Sequence, residues 1–159
     1  MIIRLARPED VPRLRELAQR LHEGSLPAWR DPAPVSEALA KEEAGLFGPA
    51  QADRVLFVCV DDADRPVGYV QAMMDRDFFS QEKQGHLLFL VTDKAHERRG
   101  IARSLVAAVE DWSRGQGATG LLLYVFASDD IPRAAYRRFG FEEDMVKMVK
   151  PLVDKKAEA

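Results

Sequence analysis

The 159-residue chain has a single cysteine, Cys59. One thiol cannot form an internal disulfide, so the fold must be held by its core. No apolar run approaches the roughly 20 residues that span a bilayer, so a membrane is not an expected partner. The opening MIIRLARPED lacks the basic-then-apolar layout of a secretory leader, and a cytoplasmic location is the resulting expectation. Positive charge is also scarce: 23 Lys and Arg against 26 Asp and Glu leave a net charge of −3. Without a global basic field, nucleic acid is not expected either, and any anion site must be local. Neither G-x-x-x-x-G-K-[ST] nor a G-x-G-x-x-G after a strand occurs, which excludes the P-loop and the dinucleotide fingerprint. No Cys/His cluster has metal-ligand spacing, so no metal is expected.

What remains is the composition of a soluble globular chain, 47% hydrophobic and 31% charged, and its length suits one domain. MIIRLA suits a strand. RPEDVPRLRELAQRLHEG places Val11, Leu14, Leu17, Ala18 and Leu21 on one helical face. SLPAWRDPAP is proline-rich and reads as a loop, and VSEALAKEEAGLFG as a second helix. RVLFVCV and VGYVQAMM form a hairpin across DDADRP. HLLFLVT is apolar on both faces, as in a central buried strand. GIARSLVAAVEDWSRGQG is helical, with Ile101, Leu105, Val106, Val109 and Trp112 in its stripe. ATGLLLYVFA reads as another buried strand, SDDIPRAAYRRFG as a short helix ending at Gly140, and FEEDMVKMVKPL as a strand closing the sheet. The order is β-α-α-β-β-β-α-β-α-β. One domain is expected over residues 1–152, with a flexible charged tail at 153–159.

The densest chemistry lies in TDKAHERRGIARS. A helix N-terminus has backbone N–H groups without intrahelical partners and a partial positive charge, which suits phosphate. Gly100 lets a ligand approach the backbone, Ala102 keeps the next turn small, and Arg98, Arg99 and Arg103 add charged donors. The same residues also fit a surface loop with solvated arginines before an ordinary helix.

The stretch ERRGIA, Glu97 to Ala102, resembles the [QR]-x-x-G-x-[GA] loop of the GNAT superfamily of N-acetyltransferases, which cradles the pyrophosphate of acetyl-CoA. Glycine and alanine match; Glu97 stands where the family has glutamine or arginine. SDDIPRAAYRRFGF resembles the family's late N-x-x-A-x-x-x-Y-x-x-x-G-F helix and turn. Tyr136, Gly140 and Phe141 match, while Asp129 replaces asparagine and Pro132 alanine. The likeness runs from Ile2 to about Leu152. It implies an α/β (α+β type) fold: a single mixed, mostly antiparallel sheet of six to seven strands, about four flanking helices and a splayed parallel pair at its centre. It also implies transfer of an acetyl group from acetyl-CoA to a primary amine of a small molecule or peptide. An exposed aromatic ring could serve a homodimer contact. The implied coenzyme contacts are Leu90, Val91, Thr92, Arg98, Arg99, Gly100, Ile101, Ala102, Arg103, Asp129 and Tyr136.

The resemblance makes Tyr136 the group that protonates the departing thiolate; the sequence alone reads as an aromatic packing residue on a short helix. The family's glutamate base has no counterpart, because Leu88 and Phe89 occupy the matching positions. The base stays unassigned. His86, with a usual pKa near roughly 6.5, is a candidate but equally fits a strand-end histidine bonded to a loop. Glu82, Asp75 and Asp77 are further candidates that also fit solvated loop charges. Cys59 sits mid-strand among apolar residues, as an inert core thiol would. Two loops should select the acceptor: 23–34 with Trp29, and 75–85 with Phe78 and Phe79. Asp31, Asp75, Asp77 and Glu82 would attract a cationic amine, while the rings could equally anchor a loop to the core. A non-catalytic acyl-CoA-binding regulatory module is the alternative function.

Overall fold

The computed structural model describes residues 1–46 and 52–152. Its sheet contains β1 (Ile2–Leu5), β2 (Arg54–Val60), β3 (Pro66–Arg76), β4 (Lys83–Thr92) and β5 (Gly120–Leu123), in that spatial order. The first three pairings are antiparallel, and β4–β5 is parallel. Four α-helices accompany it among the described residues: α1 (Val11–Ala18), α2 (Pro32–Leu46), α3 (Ile101–Gly115) and α4 (Asp130–Arg138). No helix among the described residues is long and apolar enough to cross a membrane.

Both faces of the central strands are covered, which is why β2 to β4 read as nearly continuous apolar runs. On one face Ile101, Leu105, Val106 and Val109 of α3 pack on Val55, Cys59, Val70, Ala72 and Leu87. On the other, Leu14, Leu17 and Ala18 of α1 pack on Val58, Val60, Tyr69 and Val91. Burial holds the Cys59 thiol protonated by raising its pKa, in keeping with a core role. The α1 face is fixed further by Asp10, only 4% exposed. Asp10 accepts two Arg4 bonds at 2.7 and 3.0 Å and the Arg7 N–H at 2.7 Å. Those contacts hold the Asp10 carboxyl below the usual carboxylate range.

Three expectations change. The second helix begins at Pro32, not Val35, because prolines are tolerated in a first turn that needs no N–H donors. Asp31 accepts the Ala33 N–H at 3.0 Å at that helix start. The end of the helix expected from VSEALAKEEAGLFG, and the expected tail at 153–159, lie outside the described residues.

The sheet has five strands among the described residues instead of six to seven, so the parallel pair stands at one edge and not at the centre. FEEDMVKMVKPL does not close it: Arg133, at 2.7 Å, and Arg137 hold Glu143 against α4 instead. Met145, Val146, Met148 and Leu152 are correspondingly exposed.

The buried strand expected over ATGLLLYVFA is only four residues long, and Tyr124 just beyond it is 79% exposed. The reason lies in how β5 leaves β4, which also creates the candidate site.

Candidate active site

β4 and β5 are paired only over Gln84–Leu87 and Gly120–Leu123. Behind that contact α3 packs closely: a side chain at Gly85 would meet the Ser113 hydroxyl and stand 2.9 Å from Leu121 Cδ1. Ahead of it the strands part. The register with β3 shifts between Gln71 and Ala72, whose partners are Phe89 and Leu87, so Leu88 is an unmatched extra residue in β4. Such a bulge bends its strand and increases the local twist. β4 continues to Thr92, so its outer edge from Leu88 to Thr92 has no strand partner among the described residues. This is a slot of the kind expected of a splayed parallel pair, and Leu90, Val91 and Thr92 lie along it. Strands present alternate N–H and C=O groups to such an edge.

The slot leads into the arginine loop. A 3₁₀ turn at Lys94–His96 follows Thr92, with Asp93 accepting the Ala95 N–H at 3.0 Å. Gly100 then starts α3 in the left-handed region at φ 77, and its carbonyl accepts the Ser104 N–H at 3.0 Å. A Cβ at Gly100 would meet nothing within 4 Å, so the space before the helix is open. Arg98 is also left-handed, at φ 61, which a non-glycine residue adopts at a cost of about 1 kcal/mol or more. Arg98, Arg99 and Arg103 form no ion pair among the described residues. Ala102 lies in the first turn of α3, and Ile101 is buried in the core beneath it.

Glu97 has a partner of its own: Arg20 reaches its Oε1 at 2.8 Å and also donates to the Thr92 carbonyl. A carboxylate that would repel a diphosphate is thereby matched by a cation. Arg13 similarly ties Asp93 to α1. These two arginines brace the slot's end, and nothing in the sequence spacing pointed to them.

α4 begins after the six-residue link 124–129 that follows β5. Tyr136 packs edge-on against Phe141 at 5.7 Å and Phe139 at 6.4 Å between ring centres. Burial, with a smaller contribution from the Asp129 charge, pushes its phenol up to about 12. Asp129 directly precedes α4, and its carboxylate would meet a side chain placed at Gly24 at 3.0 Å.

His86 lies two residues before the bulge. Its Nδ1 is 3.5 Å from Asp75 Oδ2 on β3, and its ring meets Tyr124 at 5.2 Å. Burial lowers its pKa, and the Asp75 charge only partly offsets this. The other acids are occupied. Asp77 accepts the N–H groups of Phe79 and Ser80 at 3.0 and 2.7 Å, and Glu82 accepts the Thr119 hydroxyl at 3.1 Å. Asp75 is therefore the acid that bears on His86. Phe78 and Phe79, 79% and 72% exposed, do not anchor their loop to the core. A cavity of about 460 Å³ between Glu110, Ser113, Leu121 and Phe141 lies at the other end of β5, away from the slot.

The sequence profile of the acetyltransferase (GNAT) family matches residues 12–141. Human N-acetyltransferase 8 is 31% identical over 87 residues, 55% of this chain but 38% of that protein, so the match spans well under half of the relative. Among solved structures, a mutant form of the BH1408 protein from Bacillus halodurans superposes with a TM-score of 0.76 at 20% identity. That match covers 96% of this chain and 100% of the other. Glucosamine-6-phosphate N-acetyltransferase from Arabidopsis thaliana gives 0.65 at 17%, covering 96% and 98%. An aminoglycoside acetyltransferase from an uncultured soil metagenomic sample gives 0.65 at 21%, covering 96% of each chain. These structures share the fold, and the profile spans the bulged strand, the arginine loop and α4, which places this chain in the GNAT family of acetyltransferases.

Proposed function

We propose that the protein transfers the acetyl group of acetyl-CoA to a primary amine of a small molecule or peptide, in the cytoplasm. The observation that carries this reading is the continuity of the β4 edge. Among the described residues it is unpaired from Leu88 to Thr92 and runs into a loop with an open Gly100 and three arginines without counter-charges. The residues fit the coenzyme: an edge for an extended amide-bearing arm, then backbone donors and cations for a diphosphate. Bound there, acetyl-CoA would supply an activated acyl group as a thioester. Leu90 or Val91 would offer a backbone N–H to the acyl oxygen, Tyr136 a hydrogen bond and proton to the departing sulfur, and His86 a base for the amine. A thermal-shift screen with CoA, acetyl-CoA, ATP and NAD tests the first part. CoA and acetyl-CoA at 100 times Kd should stabilise by about 2.7 kcal/mol, and equal shifts with ATP or NAD would refute the assignment.

His86 gives this reading a pH signature. A base works in its neutral form, and burial favours that form. Activity should therefore persist below the usual histidine pKa of about 6.5 and fall on further acidification. The Asp75 carboxylate favours the charged ring, so Asp75→Asn should move the acid limb of kcat to lower pH. The readout is kcat against pH at saturating amine; an unmoved limb in both Asp75→Asn and His86→Gln would remove His86 from the reaction. The alternative of a non-catalytic acyl-CoA-binding module predicts CoA stabilisation with no thiol release on any amine.

A further inference from the structure

The geometry points to an acceptor that bears an anionic group, carboxylate or phosphate, besides its amine, with Arg30 as the residue that takes that group. This inference rests on the reading of the slot as the site of acyl transfer.

Arg30 lies in the loop between the 3₁₀ turn Gln19–Glu23 and α2. Its guanidinium carbon stands 4.7 Å from the centre of the Trp29 ring and 5.3 Å from that of Phe126. Two aromatic faces thus hold one cation. The guanidinium makes no hydrogen bond or ion pair among the described residues, and its Nε is buried without a partner. Outside the loop of Arg98, Arg99 and Arg103, three neighbouring arginines are matched by acids. Arg13 has Glu16 and Asp93, Arg20 has Glu23 and Glu97, and Arg133 has Asp130 and Glu143. The acid beside Arg30 in sequence, Asp31, accepts the Ala33 N–H.

A guanidinium taken partly out of water needs compensation, which ring faces supply only in part. The rings hold it through their faces, and its edge N–H groups remain suited to a carboxylate or phosphate in a two-point contact.

Position links this cation to the reaction. Phe126 lies two residues beyond Tyr124, whose ring contacts His86. Two extended residues cover at most about 7 Å, so His86 and Arg30 flank one short stretch of chain leaving the slot. The two loops are joined there by the Ser128 hydroxyl, which donates to the Ser25 carbonyl at 2.7 Å. An acceptor lying along 124–126 could place its amine toward His86 and its anion toward Arg30.

The test uses matched probes: β-alanine against β-alaninamide, and O-phosphoethanolamine against ethanolamine. In at least one pair the anionic member should have a kcat/KM about tenfold or more above its partner, and that pair identifies the anion. Arg30→Gln should erase the ratio while leaving the uncharged-partner rates and acetyl-CoA affinity unchanged. No preference in either pair would overturn the inference. So would an equal loss on both members in Arg30→Gln, which marks a brace, or a loss confined to acetyl-CoA affinity. Calorimetry of β-alanine and O-phosphoethanolamine with the CoA-bound protein separates the two readings. Binding that depends on Arg30 without turnover supports the anion site and removes acyl transfer. Turnover of neutral amines without a contribution from Arg30 does the reverse.

Discussion

Tyr136→Phe should lower kcat about 100-fold while leaving CoA binding and thermal stability nearly unchanged. The magnitude follows from the phenol's pKa. At about 12 it is fully protonated at neutral pH and able to donate. Yet it is a far weaker acid than a thiol near roughly 8.5. Full transfer to a thiolate would be uphill by some 3.5 units, or about 5 kcal/mol. In the proposed reaction Tyr136 would therefore act chiefly by a hydrogen bond to the developing charge. A bond to a charged group contributes about 1.5–3 kcal/mol, which is a factor of about 10 to 150. The larger factors possible for complete proton transfer, up to about 10⁴, are not expected. Phenylalanine keeps the ring that packs against Phe139 and Phe141, so the folding transition should not move. A second consequence is that Tyr136 produces no basic limb in kcat below about pH 10. Turnover equal to that of the parent protein would remove Tyr136 from the chemistry, and a lowered melting temperature would assign it to packing.

The two catalytic assignments belong to different elements, and the break between β4 and β5 connects them. His86 sits in the last paired stretch of β4, and Tyr136 is carried by the helix that follows β5. Without the extra residue at Leu88, β5 could continue beside β4, and the edge proposed for an acyl thioester would be covered by a strand. The bulge thus leaves a length of strand edge without a strand partner among the described residues, which is what the proposed ligand would need.

Sequence periodicity resolved the parts of the fold that packing governs. The α3 stripe and the α1 face repeat at the helical period and pack where that period puts them, while β2 and β3 were legible as two apolar runs across a turn. Leu88 left no comparable trace, since leucine is at home in either a regular or a bulged strand. The arginine loop was legible because glycine before a helix and adjacent cations are local features. Arg20 on Glu97, Arg30 between Trp29 and Phe126, and Asp75 on His86 are long-range pairs, and no spacing rule encodes them. Tyr124 misled for a similar reason. Its apolar neighbours suggested a buried strand, whereas the parting of β5 from β4 leaves it in the open.

Gly100→Val should abolish the stabilisation that CoA gives, at a modest cost to the free protein. Nothing lies within 4 Å of the Cβ position, so the first carbon that valine adds enters open space. Its direct cost is the left-handed backbone at φ 77, about 1–2 kcal/mol for an L-residue and more for a branched one. In a chain of this size that lowers the melting temperature by several degrees, at about 2–4 °C per kcal/mol. The space valine enters is the space that the proposed diphosphate site needs for approach to the α3 amides, so affinity should fall well beyond what strain alone explains.

Gly117 supplies the control. It too is left-handed, at φ 82, with nothing near its Cβ position, but it stands beyond the other end of α3. Gly117→Val should carry a comparable backbone strain and leave CoA binding intact. Melting curves of both variants with and without CoA decide the matter. Equal CoA shifts in the two would make Gly100 a helix cap and nothing more, whereas loss of the shift in Gly100→Val alone requires a ligand seated on the amides of that turn.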